Sequence, residues 1–294
     1  MPVTFLRNEI ADQLSSINFK KVFIQQPHPN STMKESLIEG TGVNVKILSE
    51  KEFEVKFSEN KYFEVIATDF SFSLQKARKQ RNPVMIKSSD LSIAWTLVTL
   101  YYSAFYSAIA LARLHGKYNL FLKKEHCQNL LRHSEGNNVL DAGNYYGEIT
   151  DTKNDYITIR FSSRDKNMPH DLTWRNLKQI LSNISRSNLS NTKLKFYELL
   201  IDILDTQRQS IDTPNTVRND WNYSIPNAYD DSYCSDLGEI KSYLDPKGRS
   251  SIFNWPGNRR KLPAKSNNAF SIVYIENLLF EVLQGFEDRI LTNN

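Results

Sequence analysis

The feature that most constrains this chain is a long stretch without a charged residue, Leu91 to Ala112, which reads LSIAWTLVTLYYSAFYSAIALA. Small residues recur within it at Ser103, Ala104, Ser107 and Ala108. This spacing predicts a helix with one face that lets neighbouring helices pack closely. The stretch is long enough to span a bilayer, but its tyrosines, serines and threonines favour the buried centre of a helical bundle. We therefore expect no membrane association.

Composition indicates a folded protein without an obvious cofactor. With 294 residues, 40% of them hydrophobic, the chain can bury an ordinary core in one large domain or two smaller ones. The formal net charge of +4 is too small to indicate nucleic-acid binding by itself, so a basic site has to be local. Neither Cys127 nor Cys234 has a histidine or cysteine at metal-ligand spacing, so we expect no metal and no other cofactor. The first residues lack the apolar run of a signal peptide, which predicts a cytoplasmic location.

Residues 1–87 are predicted to form a small α+β domain. An apolar helical face begins it, made of Phe5, Ile10 and Leu14. Residues 43–47 and 53–57 then alternate apolar and polar side chains with period two, which is typical of half-buried strands. Residues 62–67 continue the pattern after a turn-like tetrapeptide, so we predict a three-stranded antiparallel sheet.

Residues 88–294 are predicted to form a helical domain. The apolar spacing predicts helices over residues 91–112, 122–132, 171–184, 192–208 and 267–291, with a short one over 237–244. Asp90 is placed to cap the first of these, and Gly116 suits the left-handed position after its last turn. A β-hairpin is predicted as an insertion at about residues 143–162, where it could serve as a lid or a partner-binding finger. The fold class is therefore α+β and mainly α.

A short polar motif, Arg218-Asn219-Asp220-Trp221-Asn222-Tyr223, follows in the second domain. Pro214 precedes it at a spacing that suits the start of a helix. The Arg-Asn pair, together with the small and aromatic residues of 101–108, resembles the HEPN superfamily of helical-bundle proteins. That family occurs in bacterial toxin, abortive-infection and other antiphage systems. The resemblance extends over residues 89–291, apart from the hairpin and residues 230–265.

The HEPN signature is an arginine, four to six residues and then a histidine, often with an asparagine directly after the arginine. Members that carry it are typically metal-independent ribonucleases that act as dimers, with the two motifs facing each other across a cleft. The resemblance assigns Arg218, Asn219 and Tyr223 to the catalytic positions. Tyr223 stands where the family has histidine.

The exchange of histidine for tyrosine bears directly on catalysis. Histidine titrates near ~6.5 and tyrosine near ~10, so Tyr223 is a poor base at neutral pH. It can still donate a proton or bond a phosphate, and Arg218 can hold a phosphate through two parallel hydrogen bonds. His133, at the end of a predicted helix, is a candidate replacement for the base; the alternative is that it bonds the last carbonyls of its own helix.

A structural role for the motif is the other interpretation. In that arrangement Arg218 pairs with Asp220 or Asp212, and the aromatic side chains Trp221 and Tyr223 pack under the bundle. The motif would then stabilise the fold and contact no ligand.

Two segments combine basic and aromatic residues, a pattern typical of nucleic-acid binding. One lies beside Phe70 and Phe72, and the other surrounds Phe253 and Trp255. We predict nucleic-acid contacts from Lys76, Arg78, Lys79, Arg81, Arg259, Arg260 and Lys261. The alternative in both segments is an ordinary solvated surface.

Two functions are consistent with the sequence. The first is a HEPN-like component of a bacterial antiphage defence or toxin system that binds RNA and, if Tyr223 can replace histidine, cleaves it without a metal. The second is a catalytically degenerate HEPN-like scaffold or regulatory subunit of a multi-protein defence assembly. RNA or another nucleic acid is the expected ligand, and a second copy of the chain or a partner protein of the system is the expected partner.

Overall fold

A computed structural model gives the structure of the protein. It describes residues 2–15, 27–86, 91–136, 139–153, 155–163, 169–185, 189–205, 211–223, 240, 243, 249–259, 262 and 264–291. The predicted domain boundary between residues 87 and 88 and the predicted cap Asp90 lie outside the described residues. All but two residues of the helix predicted over 237–244 lie outside them as well.

Most of the described chain is helical, and its helices are α1 (Pro2–Ser15), α2 (Met33–Glu39), α3 (Glu59–Ile86), α4 (Ile93–Leu114), α5 (Lys124–Arg132), α6 (Pro169–Ser182), α7 (Asn191–Leu204), α8 (Pro214–Tyr223), α9 (Trp255–Asn258) and α10 (Ala264–Leu291). Short 3-10 turns lie at Pro29–Ser31 and Arg249–Asn254. The predicted N-terminal helix is confirmed as α1. The helices predicted over 91–112, 122–132, 171–184, 192–208 and 267–291 are confirmed as α4, α5, α6, α7 and α10, with shifted ends.

The strands are β1 (Val43–Ser49), β2 (Glu52–Ser58), β3 (Lys117–Leu122), β4 (Ser134–Gly136), β5 (Gly143–Lys153) and β6 (Tyr156–Ser163). They form one six-stranded sheet in the order β3-β5-β6-β2-β1-β4. All neighbours are antiparallel except β1 and β4, which are parallel. The strands predicted at 43–47 and 53–57 are confirmed, and the fold is α+β and mainly α as expected.

Residues 62–67 are helical, so the predicted third strand is wrong. They belong to α3, where buried positions recur every three or four residues at Tyr62, Ile66, Phe70, Leu74, Ala77, Arg81 and Val84. That recurrence is the helical period. Six residues, 62–67, are too few to distinguish a helical pattern from a strand pattern. The buried positions over 62–84 are enough to show the helical period.

The predicted hairpin is present, and its two strands also pair with other strands of the sheet. β5 and β6 pair with each other, and each has a second neighbour in the sheet, β3 for β5 and β2 for β6. Both strands are therefore internal to the sheet, and the predicted role as a lid or partner-binding finger stays a prediction. The pairing of β2 with β6 joins residues that the sequence assigns to different domains.

The chain divides into two compact units, each assembled from separate segments. The sheet unit contains residues 14–72 and 109–176, and the helical unit contains residues 1–13, 73–108 and 177–294. The boundary falls within α1, α3, α4 and α6, since each of these helices contributes residues to both units. The sheet lies wholly in the sheet unit.

Two helices are long and apolar enough to cross a membrane when judged by length and composition alone. They are Ile93–Leu114 and Ser266–Glu287, and 72% and 89% of their most apolar windows are buried inside the protein. Burial of this extent is also what core helices of a globular protein show.

A glycine and a histidine end α4 in the sheet unit. Gly116 has φ 66°, the left-handed conformation predicted for it, which a residue with a side chain adopts only with strain. His115 Nδ1 donates to the Leu111 carbonyl at 2.9 Å, and its Nε2 is buried without a partner among the described residues. Burial lowers the pKa of His115 from 6.5 to about 4.

We expect His115 to make the protein less stable in mild acid. Because its folded pKa lies below the unfolded value, the unfolded chain takes up the proton first as the pH falls from 6.5 to about 4. Across that window the free energy of unfolding should drop by up to about 3 kcal/mol. Urea titrations at several pH values measure the drop. His115→Gln should flatten the slope; a variant with the slope of the wild type would contradict the assignment.

A buried ion pair organises the helical unit. Arg81 of α3 is 2% exposed, and its Nη1 lies 2.6 Å from both carboxylate oxygens of the fully buried Glu276 in α10. Its Nη2 donates to Asn277 Oδ1 at 3.0 Å. Ser103 of α4 donates its hydroxyl to Glu276 Oε1 at 2.7 Å. Three helices thus meet at one carboxylate.

We expect Arg81→Ala to lower the free energy of unfolding by about 3–5 kcal/mol, because it leaves the Glu276 carboxylate buried without a countercharge. Urea denaturation with an unchanged m-value measures this. Lys79→Ala, an exposed position on the same helix, is the control and should cost less than about 0.5 kcal/mol. The double variant Arg81→Met, Glu276→Leu should recover most of the stability. A double variant no more stable than Arg81→Ala would argue against the pairing.

Candidate functional site

Helix α8 positions the Arg-Asn motif. Pro214 opens the helix, as predicted, and supplies a φ that suits its first turn. Val217 and Trp221, four residues apart on one face, are 1% and 3% exposed and attach the helix to the core. Arg218 follows Val217 and is half-buried at the edge of this face, while Tyr223 at the helix end is 69% exposed.

Neutral groups accept the hydrogen bonds of Arg218. Nη1 donates to the amide oxygen of Asn219 at 2.5 Å, and Nη2 donates to the hydroxyl of Tyr102 in α4 at 3.1 Å. The Nε atom is buried and has no partner among the described residues. The guanidinium is therefore held in place without being neutralised by these contacts.

Three tyrosine rings surround the same guanidinium. Its carbon lies 5.6 Å from the ring centroids of Tyr101 and Tyr102 and 5.9 Å from that of Tyr223. These distances are within the range of cation–π attraction. Residues five apart on a helix are offset by about 140°, yet Arg218 and Tyr223 approach each other because the arginine side chain is long. Arg218 and Tyr223 of the motif are thus neighbours.

The purely structural pairing of Arg218 with an aspartate is not formed. Both Asp212 and Asp220 are described, and neither bonds the guanidinium; Asp212 accepts from Asn268 Nδ2 instead. Partial burial, followed by the charge of Asp212, raises the pKa of the Asp220 carboxyl. The burial expected for Trp221 in that arrangement is confirmed, but Tyr223 is exposed.

The described hydrogen bond of His133 is made within the sheet unit, and its role as a base for the motif stays a prediction. His133 Nε2 donates to the carbonyl of Leu37 in α2 at 2.9 Å. The ring also packs against Gly40, at which a Cβ would lie 2.7 Å from the imidazole. The side chain therefore bonds a carbonyl of α2, and not the last carbonyls of its own helix.

The first basic segment lies on α3, and its members have different environments. Lys76 and Lys79 are exposed, whereas Arg78 forms a partly exposed ion pair with Glu287. Arg81 is in the buried pair with Glu276 and cannot reach a nucleic acid, so its predicted contact is wrong. The sequence contained a signal for this, since Arg81 continues the apolar stripe of α3.

The structure brings part of this basic segment and the motif onto one face of α4. Lys76 Nζ lies 5.6 Å from the ring centroid of Tyr106, and Arg218 bonds Tyr102, which is four residues earlier on the same helix. Residues four apart share a helix face. We call Lys76, Tyr106, Tyr102 and Arg218 the tyrosine stripe. Tyr102 and Tyr106 were not among the predicted site residues, although their spacing within the charge-free helix was visible.

The second basic segment is described only in part. Arg260 and Lys261 lie outside the described residues. The described aromatic residues Phe253 and Trp255 pack against Tyr274 of α10, with ring centroids 6.0 and 5.4 Å apart, respectively. Arg259 follows the end of α9 and is half-buried. Among the described residues, no group of three or more His, Cys, Asp and Glu side chains could hold a metal ion.

Comparisons of this chain with protein-family models, with curated proteins and with solved structures found no match. Its function is therefore inferred from the residues of the site and their contacts. In that site an un-neutralised arginine, an exposed tyrosine and a nearby lysine are the groups that can meet an anionic ligand.

We expect Tyr102→Phe to lower the free energy of unfolding by about 0.5–1.5 kcal/mol, because it removes the acceptor of the Arg218 hydrogen bond and keeps the ring. Chemical denaturation measures the change. Tyr106→Phe is the matched control, since no described residue bonds the Tyr106 hydroxyl, and should change stability by less than about 0.5 kcal/mol. Equal effects of the two substitutions would show that the hydrogen bond contributes nothing.

Proposed function

We propose that this protein binds RNA along the tyrosine stripe and acts as a HEPN-like component of a bacterial antiphage defence or toxin system. One observation carries the proposal: Arg218 is held on Tyr102 with no described carboxylate to neutralise it, and Lys76 lies over Tyr106 on the same helix face. The resemblance of the Arg-Asn motif to the HEPN signature points to the same class of ligand.

The chemistry of Arg218 suits a phosphate. Its hydrogen bonds to Asn219 and Tyr102 use one N–H of each terminal nitrogen, so each of these nitrogens has a further N–H to donate. Hydrogen bonds between a guanidinium and a phosphate are charge-assisted and stronger than bonds to neutral acceptors. The neutral neighbours leave the positive charge to attract such an anion.

Tyr223 supplies the second element of single-strand recognition. It is 69% exposed, and its ring stands beside the guanidinium at 5.9 Å. Stacking of a base on an aromatic ring contributes about 1–3 kcal/mol and tolerates any sequence. A phosphate on Arg218 would place an adjacent base within reach of this ring.

Cleavage is the less supported part of the proposal, because the motif lacks a group that accepts a proton near neutral pH. The described groups that bond the Arg218 guanidinium or lie against it are tyrosines and an asparagine amide, and neither type of side chain is an ordinary general base. Tyr223→His would place the family's residue at this position. We expect the substitution to produce or increase metal-free cleavage, in chelator, that depends on Arg218. If the variant is inert, the motif is a binding site only.

We expect Arg218→Ala to weaken binding of single-stranded RNA by about tenfold, which corresponds to about 1.4 kcal/mol for one lost phosphate contact. The slope of log affinity against log salt should fall by about 0.7. Fluorescence anisotropy with a labelled oligonucleotide, with chelator present, measures both. Lys76→Ala should have the same kind of effect.

Two controls make this test specific. Arg175→Ala removes an exposed arginine from α6 and should leave affinity and salt slope unchanged. Arg218→Lys keeps the charge but not the fork of donors, and should retain only part of the affinity. Unchanged RNA affinity in a correctly folded Arg218→Ala protein would remove the basis of the proposal.

A scaffold function is the second candidate, and two observations favour it. The histidine of the signature is absent, and Arg218 already has hydrogen-bond partners in Asn219 and Tyr102. A scaffold should copurify with partner proteins at a fixed stoichiometry and should not be toxic when produced alone. A ribonuclease should be toxic alone and harmless as Arg218→Ala. Light scattering of the purified protein tests the homodimer that the HEPN resemblance implies.

A further inference from the structure

A second region of the helical unit combines cations and aromatic rings around an open cleft of about 870 Å³. Residues of α7 and of the segment from Phe253 to Arg259 line most of it, with Phe5 of α1. The cleft does not include any residue of the tyrosine stripe. Its volume is within the range of about 300–1,000 Å³ that is usual for small-molecule sites.

Cations stand on two sides of the cleft. Lys193 and Lys195 are exposed on the first turns of α7. Arg259, the residue that directly follows α9, lines the other side. Lys193 Nζ lies 5.2 Å from the ring centroid of Phe5. No described carboxylate pairs with these three side chains. Anionic groups of a ligand would therefore find uncompensated charge at this end.

An aromatic wall adjoins these cations. Phe196 and Phe253 line the cleft, and both pack on the buried ring of Tyr274, at centroid distances of 5.8 and 6.0 Å. Each is half-buried, so part of each ring is accessible. An aromatic ligand can stack on such surfaces.

Hydrogen bonds hold the segment from Trp255 to Leu262, which adjoins this wall. The indole N–H of Trp255 donates to Asn267 Oδ1 at 3.1 Å. Asn267 Nδ2 donates in turn to the carbonyls of Arg259 at 2.8 Å and Leu262 at 3.1 Å. The side-chain amide of Asn267 thus holds the indole of Trp255 and the backbone of Arg259. This lowers the entropy cost of ordering the segment when a ligand binds.

Carboxylates line the cleft as well. Glu198 and Asp202 are four residues apart on α7, and hence on the same face, one and two turns beyond the lysines. Two cations at the start of the helix and two acids farther along separate the charges along the cleft. A ligand that fits has an anionic end and a neutral aromatic end that can donate hydrogen bonds.

We propose that the cleft binds a nucleotide, with its phosphate at Lys193, Lys195 and Arg259 and its base against Phe196 and Phe253. The amino group of a base such as adenine can donate to a carboxylate on the same helix. The nucleotide is either a free molecule or one unit of an RNA strand. This inference does not depend on the tyrosine stripe.

The test uses the fluorescence of 2-aminopurine, which is quenched when the base stacks on an aromatic ring. The probes are 2-aminopurine ribonucleoside 5′-monophosphate and a single-stranded RNA that carries the same base. We expect saturable quenching by the full-length protein. The double variant Lys195→Ala, Arg259→Ala should weaken affinity at least fivefold, and Phe253→Leu should reduce the quenching at saturation. Lys124→Ala, an exposed lysine of α5, should behave as the wild type.

The outcomes separate the sources of the nucleotide. Binding of the monophosphate supports a free-nucleotide site. Binding of the oligonucleotide alone supports an RNA segment in the cleft only if the quenching is kept in Arg218→Ala and lost in the double variant. Arg218→Ala should leave monophosphate binding intact, so the failure of one site is distinguishable from the failure of the other. Absence of quenching with both probes at millimolar concentration overturns the proposal, as does wild-type affinity in the double variant.

Discussion

The buried ion pair between Arg81 and Glu276 is the interaction on which the helical unit depends. An uncompensated charge at this depth would cost several kcal/mol, so α3, α4 and α10 pack only in registers that keep Arg81 and Ser103 on the Glu276 carboxylate. With Ser103 turned toward Glu276, the rotation of α4 about its axis is set. Tyr102 and Tyr106 then lie on its partly exposed flank, where the tyrosine stripe is formed.

Three arginines of this unit differ in what compensates their charge. Glu276 neutralises Arg81 in the interior, and Glu287 neutralises Arg78 at a partly exposed position. Arg218 has neutral acceptors and aromatic rings around it and no described acid. Because attraction for an anion depends on uncompensated charge, Arg218 is the one of these three that suits a phosphate. Residue type alone could not separate them.

A structural feature of this protein could be predicted from the sequence when the residues that produce it lie close together along the chain. Strands β1 and β2 were predictable, because alternation within 43–47 and 53–57 is a local pattern. The same reasoning failed at 62–67, because a short apolar run fits the period of a strand and that of a helix. The buried positions that recur as far as Val84 show that this segment is a helix. The hairpin at about residues 143–162 was also predictable, but the pairing of its strands β5 and β6 with β3 and β2 joins distant segments and leaves no local signal.

The sequence by itself determined the helices α1, α4, α5, α6, α7 and α10, the strands β1, β2, β5 and β6, the buried character of the charge-free helix and the Arg-Asn motif with its tyrosine. Only the tertiary structure decided that Lys76 and Arg218 share one face of α4, that Arg81 is buried and that Lys193 and Arg259 line the same cleft. The reason is physical: backbone conformation follows from side chains a few residues apart, whereas a site is made of groups that packing brings together from distant parts of the chain.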